Sequence, residues 1–266
     1  MRARYPERIV CLTEETTETL YLLGEERRFV GVSGYTVRPP AARRDKPKVS
    51  AFLSAKTDKI LALEPDLVLG FSDLQADIAR ELAKAGLNVV LFNQRSVDEI
   101  LSMILTLASM IGVADRGRKL VEALEANLAQ IAEAAQELPR RPRVYFEEWD
   151  EPMISAIRWV SELIGIAGGE DVFSELSASQ AAAGRTIGDP SLVISRRPDV
   201  ILGSWCGKKF RPERVAARAG WGAIPAVRDA ALYEIKSSEI LQPGPAALTD
   251  GVRRMHEIFT AWAAAR

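Results

Sequence analysis

Two pairs of adjacent glutamates, Glu14-Glu15 and Glu147-Glu148, each stand directly after a short apolar run in this 266-residue chain. Adjacent carboxylates can serve general acid–base chemistry, hold a divalent cation, or accept hydrogen bonds from the amides of a ligand. The second pair lies in FEEWDEP from Phe146, where four acids surround Trp149. Such a cluster repels itself unless a cation, an amide network or a helix N-terminus compensates it. Glu147 and Glu148 therefore either reach ligand amides or cap a helix beside a solvated turn. A third segment, GSWCGKKF from Gly203, ends a strand-like run in an aromatic, a thiol and two lysines. Trp205 either stacks on a flat macrocycle or packs against a helix. Lys208, two residues past Cys206, either pairs with a ligand carboxylate or phosphate or is solvated.

The motifs of covalent and nucleotide chemistry are missing: there is no nucleophile elbow, Walker loop or dinucleotide glycine fingerprint. Two cysteines, Cys11 and Cys206, are too few and too distant for a disulfide framework or a zinc site. The single histidine, His256, has no second ligand at metal spacing. No catalytic residue, metal ligand or cofactor is assigned on these grounds, although carboxylates converging in a cleft would keep an enzyme open. The composition is 47% hydrophobic and 27% charged with net charge −1. That balance argues against nucleic acid as a partner, and no apolar run reaches the length needed to span a bilayer. A monomer is expected.

The elements that must position these residues alternate strand and helix, the pattern of βαβ units with a mainly parallel sheet. Strands are expected at residues 8–12, 29–32, 48–50, 67–70 and 89–92, with helices at 16–23, 56–62 and 74–85 and a Pro-rich loop through Pro39 and Pro40. An amphipathic stretch over 97–138 breaks near Gly112, with Leu120, Leu124, Leu128 and Ile131 at helical spacing. A helix over 114–138 would run about 37 Å at ~1.5 Å per residue, long enough for a stiff connector. A second α/β half follows, with strands at 143–146, 200–203 and 232–235 and helices at 155–164, 191–195, 212–218 and 244–264. The halves echo each other: LEPDLVLGFS from Leu63 parallels RRPDVILGSW from Arg196, and RIVC from Arg8 parallels RVYF from Arg143. This points to a repeated lobe. The Pro-Asp pairs are structural, the proline stopping a helix and the aspartate turning the chain into a buried strand. The domains are set at 1–112, a connecting helix at 113–140, and 141–266.

Ligands of parallel α/β sheets collect beyond the carboxyl ends of the strands. That rule selects Glu14, Glu15, Tyr35, Phe52, Phe71, Ser72, Asn93 and Gln94 in the first half, and Glu147, Glu148, Trp149, Trp205, Cys206, Lys208 and Gln242 in the second. Tyr35 and Phe52 serve as aromatic walls. Tyr35 alternatively ligates haem iron or simply packs.

The ordered motifs PERIVCLT from Pro6, ETLYLLG from Glu18, FVGVS from Phe29, PKV from Pro47 and KILALEPDLVL from Lys59 resemble the class of ABC transporter substrate-binding proteins that carry cobalamin, haem and iron–siderophore complexes. The chain is most similar to members labelled cobalamin-binding. The resemblance implies an α/β fold of two Rossmann-like lobes joined by one long helix, with a ligand cleft between the lobes and limited hinge motion. It implies reversible binding of a corrinoid first, then of haem or a ferric chelate, and docking to an ABC permease through an acid on each lobe. Asp77 or Glu81 and Glu213 are the candidates, with solvated helix charges as the alternative. The family is exported or lipid-anchored, whereas the first residues, through Arg8, carry no export signal. The expected location is the cytoplasm, as a sensor or carrier, with the periplasm as the alternative.

Overall fold

Ile9, Val10 and Cys11 are each fully buried, as a strand covered on both faces of a parallel sheet must be. They form β1 (Ile9–Cys11) in the structure, a computed structural model that describes residues 5–265. The chain divides into two compact units: one of the described residues through Gln94 with Asp98–Leu124, the other of Arg95–Val97 and the chain from Glu125 onward.

In the first unit β1 leads into α1 (Glu14–Leu22), β2 (Phe29–Ser33), α2 (Pro40–Asp45), β3 (Lys48–Ser50), α3 (Thr57–Leu61), β4 (Leu67–Phe71), α4 (Ala76–Lys84) and β5 (Val89–Phe92). All strands are parallel, in the order β3-β2-β1-β4-β5. Successive side chains of β1 alternate faces. Ile9 and Cys11 join Leu20, Phe29, Leu107 and Ile111 on one side, and Val10 and Leu12 join Val49, Ile60, Val68 and Leu82 on the other. Two differences from expectation have local causes. The first helix begins at Glu14, because two acids in its first turn suit the positive end of the helix dipole. Residues 40–45 are helical, because proline in the first turn has the required φ and no N–H to leave unpaired.

Next come α5 (Val97–Met110) and α6 (Ala114–Gln136), separated by Gly112 at φ +78°; the unit boundary falls inside α6. The second unit continues with β6 (Arg143–Glu147), β7 (Trp149–Asp150), β8 (Met153–Ile154), α7 (Arg158–Ile166), β9 (Glu170–Asp171), α8 (Ser191–Arg196), β10 (Val200–Gly203), α9 (Pro212–Ala216), α10 (Pro225–Arg228), β11 (Leu232–Glu234), α11 (Ser237–Ile240) and, after a π-helical turn over Ala247–Gly251, α12 (Val252–Ala264). The parallel sheet runs β11-β10-β6-β9, with β7 and β8 as a separate antiparallel hairpin. The hairpin and β9 were not anticipated, since two-residue strands carry no periodicity. Helix α7 begins only at Arg158, because Ser155, just past β8, is engaged in a backbone bond to Arg185.

The expected repeat has a structural counterpart. Asp66 accepts the N–H groups of Glu7 and Arg8 at 2.7 and 3.0 Å, while Arg8 donates to the carbonyls of Leu63 and Glu64. In the second unit Asp199 accepts the N–H of Arg143 at 3.0 Å, and Arg143 donates to the carbonyl of Arg196. The residue before each proline, Glu64 and Arg197, sits at φ +46°. Among the described residues, no helix is long and apolar enough to cross a membrane.

Candidate functional site

In both sheets the strand order reverses beside the first strand of the unit, between β1 and β4 and between β6 and β10. Chains diverging there leave room for a ligand at the carboxyl ends. Glu14 and Glu15 follow β1 but do not form a rim: they are 5% and 1% exposed. Glu14 accepts the backbone N–H of Val37, and Glu15 accepts the hydroxyl of Thr13. Burial pushes each carboxyl up to about 7, against those hydrogen bonds.

Among the residues this sheet end exposes are four large apolar ones. Tyr35 is 65% exposed, Val37 47%, Leu53 68% and Leu74 57%, on the loops after β2, β3 and β4. Only Tyr35 was singled out from sequence; the other three could have been found as large apolar residues standing just past strand ends. Phe52 is half-buried and Phe71 is buried. Gln75 ties their loops together, accepting the N–H of Phe71 and donating to the carbonyl of Phe52, each at 2.9 Å. Ser72 is buried at φ 64°, ψ 172°, a region that glycine alone adopts without cost. Its hydroxyl accepts the N–H of Leu74 at 3.3 Å. Beyond β5, Asn93 is exposed and Gln94 is buried.

In the second unit Glu147 and Trp205 meet at the reversal point. Glu147 is fully buried and accepts from the Tyr145 hydroxyl at 3.0 Å, from Trp205 Nε1 at 3.1 Å and from both terminal nitrogens of Arg218, at 2.5 and 3.0 Å. Arg218 stacks over Trp221, 4.6 Å from the ring centroid, and Trp221 meets Tyr145 edge-on. Glu148 is held by Arg185 at 2.5 Å. Lys208 is paired with Asp150 and sits 4.0 Å over the Trp149 ring. The self-repulsion expected of FEEWDEP is thus relieved by two arginines and a lysine of the protein itself. The partners Arg185, Arg218 and Asp150 were missed, since no local motif marks an ion pair closed by the fold.

Two expectations are corrected. Lys208 is not a free cation waiting for a ligand, because Asp150 neutralises it. Trp205 offers no open stacking face: it is 3% exposed and packs edge-on to Phe210 at 5.0 Å. Gly203 permits this, since a Cβ there would fall 1.9 Å from the Phe210 ring. Trp205 nevertheless belongs to the wall of an open cavity of about 620 Å³, with Asp150, Met153, Ile187, Arg214 and Arg218. Cys206 is an exposed free thiol, whereas burial pushes the Cys11 thiol up to about 12. Gln242, past α11, is half-buried. Asp77 and Glu81 pair with Arg80, and Glu213 pairs with Arg211, all exposed. The His256 ring, on α12, lies 3.1 Å from the carbonyl of Ala167 at the end of α7.

The sequence pattern of the family described as Periplasmic binding protein matches residues 9–239. An ABC transporter substrate-binding lipoprotein of Bacillus subtilis, itself uncharacterised, is 25% identical over 95% of this chain and 79% of its own. A cobalamin-binding protein of Halobacterium salinarum is 24% identical over 96% of this chain and 69% of its own. Among solved structures, the periplasmic heme-binding protein of Roseiflexus superposes with a TM-score of 0.79 at 25% identity, covering 95% of this chain and 98% of that one.

Proposed function

Because the chain belongs to the periplasmic binding protein family, we propose that it is the substrate-binding component of an ABC importer and reversibly binds a metal chelate, a corrinoid in preference to haem or a ferric siderophore. The observation that carries this reading is the exposed group Tyr35, Val37, Leu53 and Leu74 at the carboxyl end of the five-stranded sheet. Apolar side chains on the loops after β2, β3 and β4, at one end of the sheet, suit the face of a large macrocycle, where burying each would contribute about 1 kcal/mol or more. The cobalamin-binding relative supports the order of preference. Members of the family are binding proteins, and we assign no catalytic step. With its one imidazole turned to Ala167, the protein would hold a corrinoid without histidine ligation.

Haem is the second reading, favoured by the heme-binding relative and by the exposed Tyr35 phenol, a group able to ligate ferric iron. The lipoprotein relative supports a location outside the cytoplasmic membrane, the alternative to the cytoplasm. Asp77, Glu81 and Glu213 remain the carboxylates proposed to meet a permease.

Titration of the purified protein with cyanocobalamin, haemin and a ferric hydroxamate, read by tryptophan fluorescence and thermal stability, tests the assignment. Micromolar or tighter binding of cyanocobalamin is expected. Tyr35→Ala should weaken it about tenfold, ~1.4 kcal/mol, with the melting temperature of the free protein unchanged because the side chain is exposed. Haemin binding alone would replace the corrinoid; no response to any of the three would remove the chelate reading.

A further inference from the structure

The loop after β2, residues 34–38, carries two of the four exposed apolar groups, and its fastening to α1 is unusual. Its first N–H groups bond at the strand ends: Gly34 N–H to the Ser50 carbonyl of β3 at 2.7 Å, Tyr35 N–H to the Ser33 hydroxyl at 3.2 Å, and Thr36 N–H to the Ser33 carbonyl at 3.1 Å. Arg43 of α2 donates to the carbonyls of Gly34 and Thr36. At Val37 the N–H goes instead to a side chain, Oε2 of Glu14, in the first turn of α1, and the backbone N–H of Arg38 also reaches the Glu14 carboxyl. The other oxygen, Oε1, is buried without a hydrogen-bond partner. An ionised carboxylate there has one oxygen desolvated and unpaired, which is costly unless a proton is bound.

We propose that Glu14 is a proton-coupled positioning residue, its buried carboxyl latching the 34–38 loop to α1 and so setting the placement of Tyr35 and Val37. The charged groups around it are Glu18 and Glu15 of its own helix and Arg38 of the loop. Arg38 is paired with Glu18 at 3.0 Å, Glu15 accepts from Thr13 through Oε1 while its Oε2 is buried without a partner and its own pKa is raised to about 7, and Cys11 at the end of β1 stays neutral. The direction of coupling follows from where the proton binds better. The latched carboxyl has its pKa raised from 4.5 to about 7, chiefly by burial. A carboxyl freed into water by opening of the loop returns toward the ordinary value. The latched form therefore retains the proton across that interval, and raising the pH favours release of the loop.

Amide hydrogen exchange of the peptide covering residues 34–38 tests the latch without any ligand. After correction for the intrinsic rate, protection in the wild type should fall with rising pH by up to about tenfold per unit between pH 5 and 7 and level off above. Glu14→Gln keeps an acceptor for Val37 but cannot titrate, so its protection should be flat. Glu15→Gln should retain the wild-type profile, and Glu14→Ala should lower protection at every pH. A wild-type profile that is flat or rises with pH, or a Glu14→Gln profile that still falls, overturns the proposal. The consequence for affinity rests on the binding function proposed above: cyanocobalamin and haemin titrations at pH 5.5 and 7.5 should show weaker binding at the higher pH in the wild type and equal binding in Glu14→Gln. If neither probe binds at all, the ligand assignment fails while the exchange data still judge the latch.

Discussion

Glu147 collects the hydroxyl of Tyr145, the indole N–H of Trp205 and both arms of Arg218 on a single buried carboxylate. The energetic weight of such a pair shows when one partner is removed, because the remaining charge is stranded. Arg218→Ala should cost about 3 kcal/mol in urea unfolding, the low end for a buried pair, because the arginine side chain is 21% exposed. A loss under about 1 kcal/mol would mean that Tyr145 and Trp205 alone satisfy the carboxylate. At this scale the acids and Trp205 were legible as chemically able residues past strand ends. Their occupation was not, because Arg218 lies 71 residues from Glu147 and no spacing rule links them.

The elements were more legible than the residues on them. Buried parallel strands are nearly continuous apolar runs, so the principal strands fell within a residue or two of expectation, while the hairpin and β9 stayed invisible. The two Pro-Asp corners were readable both as structure and as a repeat. Each places a non-glycine residue in the left-handed region, Glu64 and Arg197 at φ +46°, where an L-residue costs about 1–2 kcal/mol. Glycine relieves that cost but gives the unfolded chain about 0.5–1 kcal/mol more entropy to lose. Glu64→Gly and Arg197→Gly should each therefore stabilise slightly, by about 0.5 kcal/mol, visible as a small rise in melting temperature. Gly203→Ala, by contrast, drives a methyl into the Phe210 ring and should cost about 1–3 kcal/mol or more, with Trp205 fluorescence shifted as its packing against Phe210 is lost.

For the whole molecule, two buried carboxyls with pKa values raised to about 7, Glu14 and Glu15, set a pH trend. The native state keeps protons that the unfolded chain gives up above about 4.5, so their stabilising contribution is full below that pH and is lost as pH rises to about 7. Glu25 acts oppositely: although burial opposes it, Arg28 and Arg116 hold its pKa low, and its contribution is lost in acid. The melting temperature should therefore fall between pH 5 and 7 in scanning calorimetry, and the double variant Glu14→Gln with Glu15→Gln should flatten that fall. An unchanged slope in the double variant would show that other groups titrate there. The sequence by itself determined the α/β class, the repeated half and the family, and it singled out the strand ends proposed to carry function, because hydrophobic period, turn chemistry and motif order are local properties of the chain. Only the tertiary structure decided which of the selected side chains are available. Burial of Glu14 and Glu15, neutralisation of Glu147, Glu148 and Lys208, and exposure of Tyr35, Val37, Leu53 and Leu74 all depend on neighbours brought in from distant sequence.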